Sequence, residues 1–305
     1  MNPAYSVVFL TTLCGMGQGV FIMVLLGHLL GAHPRFLLLG TVAALILTML
    51  GLVASFFHLG RPARGWRAVA QFRTSWLSRE VIALPAFMLL VFLYGLSVWS
   101  DRGGAFVVGL LALAACMALW VCTAMIYMSI QFIQEWASSF TLANFVLLGL
   151  ASGATLALNL ALFSDWGIVH VLAYASLLFT LAAGGVRGAS LARNARLKPK
   201  STLQSAIGIN DPRITQRAMG ATGGTFNTRE FFHGRTLAFL RAVKWLFIAL
   251  TFVLPALLVA GALVRAPSYV VLLALLAQSA GLLLERWFFL AQARHPQNLY
   301  YQVIS

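Results

Sequence analysis

Val107-Val108-Gly109-Leu110-Leu111-Ala112-Leu113-Ala114-Ala115-Cys116-Met117-Ala118-Leu119-Trp120 is apolar at every position and lies within a stretch, Gly103 to Gln134, that holds no Asp, Glu, Lys or Arg. A barrel strand would cross a bilayer in about ten residues of alternating polarity. A helix needs roughly 20 consecutive, largely apolar residues. The uninterrupted run meets the second description, so it reads as a transmembrane helix. Seven more stretches without those four residues follow the same rule: Met1 to Pro34, Phe36 to Gly60, Val81 to Ser100, Trp136 to Ser164, Trp166 to Val186, Trp245 to Val264 and Ala266 to Leu284. The longest is too short for two spans and a turn. The expected fold is an all-α integral membrane protein, one bundle of eight transmembrane helices over residues 1–305. The helices are placed near 5–31, 36–58, 79–99, 105–131, 139–163, 167–192, 237–264 and 268–293, and a long loop, 193–235, joins the sixth to the seventh.

Composition agrees. Of 305 residues, 61% are hydrophobic and only 9% charged, with a mean hydropathy of +0.89, whereas a soluble domain carries about a quarter charged residues. Met1 to Ser6 lacks a basic segment and no small-residue cleavage site ends the first apolar run, so the first helix is expected to remain in the mature chain. A net charge of +14 raises the question of nucleic acid, but no soluble module with a basic face is visible, and no nucleic-acid partner is expected. Basic loops on one side of a membrane account for the excess. Arg61, Arg64, Arg67, Arg73 and Arg79 follow the second span, ten cations run from Arg193 to Lys244, and Arg294 lies in the tail. The other side has only Arg35, Arg102 and Arg265. Both termini and the long loop are therefore expected in the cytoplasm. Cys14, Cys116 and Cys122 lack metal-binding spacing and read as packing residues, so no metal site is expected.

Ionisable residues in spans are expensive and usually functional. Here they gather towards one face: His58 at the end of the second span, Glu80 at the start of the third, Gln131, Gln134 and Glu135 at the end of the fourth, Arg187 late in the sixth, and Glu285 with Arg286 in the last. A His, carboxylates and Arg near one surface suit quinone chemistry, which needs donors to the quinone oxygens and groups that exchange protons. Two plainer roles stand beside this: His58 as an interfacial residue bonded to backbone, and Glu80 as a carboxylate favoured by a helix N-terminus. Gln18, among Gly15, Gly17 and Gly19, marks close helix packing with an interhelical hydrogen bond, or support for a ligand. His28 and His170 fall towards the opposite surface and could be imagined as haem ligands only on facing helices at matching depth; no haem is expected. The segment from Arg61 to Phe72 reads as amphipathic and interfacial, with Trp66, Val69 and Phe72 dipping into lipid and arginines meeting phosphates. Pro85 and Pro255 should disturb the third and seventh helices. The long loop reads as turns, and its end, Thr225 to His233, suits either a flexible connection or a docking surface through Arg229, Phe231, Phe232 and His233.

At Phe57-His58-Leu59-Gly60-Arg61-Pro62-Ala63-Arg64, followed by Ser75-Trp76-Leu77-Ser78-Arg79-Glu80-Val81, the chain resembles the DMSO reductase anchor-subunit family. Gly17-Gln18 and the Arg286 to Phe289 segment look like family positions too. The resemblance implies a membrane anchor holding a ferredoxin-like iron–sulfur subunit with [4Fe-4S] clusters and a molybdopterin catalytic subunit, with ubiquinone or menaquinone served by His58 and Glu80. Arg286, Glu285, Arg187 and Gln18 would orient or polarise that site, and Arg61, Arg64 and the long loop would dock the iron–sulfur subunit. The basic face points to the cytoplasmic branch, exemplified by the membrane subunit of quinone-reducing sulfite dehydrogenase, in a bacterial inner membrane. A quinol-oxidising anchor of a reductase is the alternative direction. A secondary transporter is the competing class, but no repeat between halves is visible and the ionisable residues avoid the midplane.

Overall fold

In the computed structural model, the described residues are 1–57, 60–101, 103–215, 217, 230–264 and 268–301, with the side chains of residues 62, 63, 300 and 301 excepted. His58 and Arg229 lie outside them. Among the described residues, eight helices are long and apolar enough to cross a membrane and there is no strand. They are α1 (Tyr5–Leu29), α2 (Pro34–Phe56), α3 (Trp76–Trp99), α4 (Ala105–Met128), α5 (Ser139–Ser164), α6 (Val169–Ala195), α7 (Leu237–Val264) and α8 (Tyr269–Ala291).

Local chemistry sets where these helices begin and end. Ser75 caps α3, accepting a hydrogen bond from the Ser78 amide at 3.4 Å, so the helix starts at Trp76, ahead of the boundary read from charge alone. Glu80 consequently lies a full turn inside α3. At the other end of α4 the helix stops at Met128. Gln131, Gln134 and Glu135 therefore belong to the following turns, where Trp136 is buried and its indole donates to the Phe289 carbonyl at 3.1 Å.

Depth of burial identifies the centre. Across an 18-residue apolar stretch of each helix, 67% of residues are buried in α1 and α5, against 28% in α3 and α7. These two central helices cross through a pair of small-residue faces, Gly15 and Gly19 against Gly149 and Gly153. A methyl group built on Gly19 would collide with the Gly149 carbonyl, and one built on Gly153 would strike the backbone of Gly19 and Val20. In lipid, where no hydrophobic force drives helices together, such close approach supplies the dispersion contacts that do. Gln18 adds a hydrogen bond from its side-chain amide to the Cys116 carbonyl at 3.0 Å, tying α1 to α4.

Pro255 disturbs α7 in a specific way. Proline cannot donate to the carbonyl four residues earlier, and residues Ala249–Val253 form a π-turn just ahead of it. The Thr251 carbonyl instead accepts from the Gln278 side chain of α8 at 3.3 Å, so a neighbouring helix satisfies the freed group. Gly281 permits the contact, since a methyl there would lie 2.6 Å from the Thr251 nitrogen.

Met1 and the residues that follow α8 lie together at one end of the bundle. The Met1 ammonium donates to the carbonyls of Ala291 and Ala293, at 3.2 and 2.9 Å. At this end the segment Pro62–Gln71 forms a 3-10 helix with Trp66, Val69 and Phe72 exposed. Arg79 secures it to α3, donating to the carbonyls of Phe72 and Arg73 at 2.9 and 2.8 Å while its guanidinium lies 4.1 Å from the Trp76 ring centre. In the long connection a short helix, Leu203–Ile207, carries a reciprocal cap between Thr202 and Ser205.

Candidate functional site

The site grows from two adjoining groups. In the first, Glu80 of α3 is half-buried and its Oε1 accepts a hydrogen bond from the Thr123 hydroxyl of α4. Its partner is thus a neutral hydroxyl on the next helix, not the N-terminal amides of its own helix. Among the described residues Glu80 forms no ion pair. Cys14 of α1 and Cys122 and Tyr127 of α4 lie within electrostatic range of it.

The second group joins α6 to α8. Arg187 Nε lies 2.8 Å from Glu285 Oε1, and Arg286 Nε lies 3.6 Å from Glu285 Oε2. All three are buried, with 1%, 0% and 4% exposure for Arg187, Glu285 and Arg286. Two guanidiniums against one carboxylate leave a surplus positive charge, and Arg187 Nη2 and Arg286 Nη1 have no hydrogen-bond partner among the described residues. Aromatic faces take part of that charge: Arg286 sits 4.0 Å from the Phe145 ring centre, and Arg187 lies 5.6 and 5.9 Å from those of Phe247 and Phe288.

Tyr127 connects the groups. It is buried among Trp136, Phe145 and Phe289, with ring centres 5.2, 5.7 and 5.2 Å away, and lies within electrostatic range of both Glu80 and Arg286. Thr123 and Tyr127 stand four residues apart on one face of α4. Sequence reasoning missed both, because their only signal there is being polar within an apolar run.

A shallow apolar groove of about 400 Å³ runs between α1 and α2, lined by Ser6, Phe9, Leu13, Leu50, Val53, Ala54 and Phe57. It ends at the residue that precedes His58 in the chain. Such an apolar wall has the chemistry of an isoprenoid-tail site, and the Glu80 carboxylate that of a group that exchanges protons.

The expected site residues divide. Arg187, Glu285 and Arg286 come together as a buried ion cluster. Gln18 spends its amide on Cys116 and packs helices. His233, expected at a docking surface, is 8% exposed and faces Trp287. Phe231 stacks on His295 with ring centres 4.4 Å apart, and Phe232 is likewise half-buried. The end of the long loop thus folds onto its own chain, with the Asn2 amide donating to the Glu230 carbonyl at 3.0 Å. Arg61 and Arg64 are exposed. On the far side of the bundle His28 Nδ1 lies 2.8 Å from the Tyr94 hydroxyl, and His170 is exposed.

Comparison with known proteins bears on this arrangement. A sulfite dehydrogenase subunit of Allochromatium vinosum is 46% identical over 325 aligned positions that cover the whole of both chains. Residues 1–301 match the family described as DMSO reductase anchor subunit (DmsC). With nearly every residue matched and eight apolar helices to place them, the chain belongs to the DMSO reductase anchor-subunit family.

Proposed function

We propose that this chain is the quinone-reactive membrane subunit of a molybdopterin and iron–sulfur oxidoreductase, that its substrate is sulfite, and that its termini and basic loops face the cytoplasm of a bacterial inner membrane. The observation that carries the reading is Glu80: a half-buried carboxylate inside a span, bound by a hydroxyl instead of a cation. A group so placed can take up and release a proton without breaking an ion pair. The likeness to a sulfite dehydrogenase subunit supports the substrate, and the basic end of the bundle supports the orientation.

Reduction of a quinone consumes two electrons and two protons. Bound to partner subunits, molybdopterin and [4Fe-4S] clusters would supply the electrons from sulfite. This chain supplies the protons. His58 donates to one quinone oxygen, and Glu80 carries protons between that position and the cytoplasm. The surplus positive charge of Arg187, Glu285 and Arg286 favours negative charge that develops on the quinone, acting through the region that Tyr127 occupies. Arg61 and Arg64 are free to meet an iron–sulfur subunit.

The test separates the two half-reactions. His58→Leu and Glu80→Gln should leave sulfite oxidation with a soluble electron acceptor intact and abolish reduction of quinone by sulfite. Equal loss of both activities, in variants that keep the complex assembled, would remove the quinone assignment.

A further inference from the structure

A cavity of about 740 Å³ opens at the end of the bundle that holds Met1, bounded by the C-terminal ends of α6 and α8, the start of α7 and the turns after α4. Its size falls within the range of small-molecule sites. Its walls are amphiphilic. Leu191, Leu240 and Phe288 form an apolar side, and Lys244 and Arg294 bring cations to it.

Three lining amides each have a buried atom without a partner among the described residues: Asn194 Nδ2, Gln292 Nε2 and Asn298 Oδ1. With two amide donors and one amide acceptor beside Lys200, Lys244 and Arg294, the wall is polar as well as apolar. Neither Lys244 nor Arg294 belongs to an ion pair among the described residues. The carboxylate in the wall, Glu135, accepts the Arg294 backbone amide at 3.4 Å. The occupant should therefore be anionic. Depth points to its source: Trp245, next to Lys244, is 65% exposed, its ring centre 5.1 Å from the Lys244 ammonium, and exposed tryptophans on spans mark the headgroup level.

We propose that this cavity binds an anionic phospholipid, with the phosphate on Lys244 and Arg294 and one acyl chain along Leu191, Leu240 and Phe288. A lipid meets both the cationic and the apolar wall, which free phosphate does not.

The full chain, purified with its accompanying subunits and stripped of lipid by detergent exchange, is offered phosphatidylglycerol, phosphatidylcholine or inorganic phosphate. Retained lipid is counted by native mass spectrometry, and the melting temperature is followed. Wild type should retain phosphatidylglycerol and melt higher with it, and the Lys244→Gln, Arg294→Gln double variant should bind it about 30-fold more weakly, two cations being removed from the headgroup. Removing two exposed cations elsewhere on the same end, by Arg67→Gln and Arg73→Gln, should leave retention unchanged. Equal retention of phosphatidylcholine, an equal effect of inorganic phosphate, or wild-type retention by the double variant at 244 and 294 would each overturn the proposal. So would photo-crosslinking from position 244 that captures an accompanying protein instead of lipid, because the cavity would then be a protein interface.

Discussion

Replacing Glu285 by leucine tests what the buried ion cluster does for the fold. At 2.8 and 3.6 Å from two guanidinium nitrogens, the carboxylate gains attractions of about 6 and about 5 kcal/mol at an effective dielectric of about 20. Burying three ions offsets most of this, so the cluster adds little net stability, but removing its one anion leaves two buried cations facing each other. Loss of one partner from a buried pair costs about 3–5 kcal/mol. For a chain of this size that lowers the melting temperature by on the order of 10 °C. The assay is thermal unfolding in mild detergent, followed by tryptophan fluorescence. Adding Arg187→Met to Glu285→Leu should restore more than half of the loss, because an apolar pair of similar volume replaces the ion pair. Arg286 keeps its place over Phe145 in that variant. A drop below about 2 °C for Glu285→Leu, or strict additivity of the two substitutions, would refute the reasoning.

Two other perturbations have outcomes that the structure determines. Gly19→Ala should prevent recovery of folded protein, since even one methyl group meets the Gly149 carbonyl, whereas Gly185→Ala, with nothing within 4 Å, should melt like the wild type; size-exclusion profiles and melting curves decide. Acidification should loosen the docking of the tail. Burial, reinforced by the nearby N-terminal ammonium, holds the His233 and His295 rings below the usual imidazole value. Burial also lowers the Met1 amine from 8.0 to about 6, against an opposing pull from Glu135. All three favour their neutral forms when folded, so the unfolded segment binds more protons and its docking weakens as pH falls. The amine acts between pH 8 and about 6, and the imidazoles act below 6.5. Protection of residues 230–235 and 291–299 against hydrogen exchange, after correction for intrinsic rates that fall with pH, should decrease on acidification, and greater protection in acid would contradict this account.

What can be read from sequence follows from which forces act locally. The eight spans are legible because lipid excludes charge, and absence of charge is visible in a single chain. Glycines at 15, 17 and 19 announce close packing of α1, but its partner surface, Gly149 and Gly153, is set by a crossing that no local pattern encodes. Arg187, Glu285 and Arg286 stand out as ionisable groups in apolar surroundings, and the structure unites them; their burial depends on how α6, α7 and α8 pack. Thr123 and Tyr127 hold or approach Glu80 only because α4 lies beside α3. The segment from Phe231 to His233 reads as a docking surface because aromatics in a polar loop look unpartnered, and their partners, His295 and Trp287, sit at the far end of the chain.

The crossing of α1 and α5 also orders events in time. The glycine face of α1 leaves the ribosome long before α5 exists, and at synthesis rates of about 5–20 residues per second the interval is on the order of ten seconds. Throughout that period a helix with bare backbone on one side waits in the bilayer, held by α2 through Gly17, whose neighbours are Ala44 and Thr48. The nascent protein is thus an open half-bundle with a vacant seam. Any membrane chaperone that guards this chain has a defined surface to cover until the fifth span arrives and displaces it.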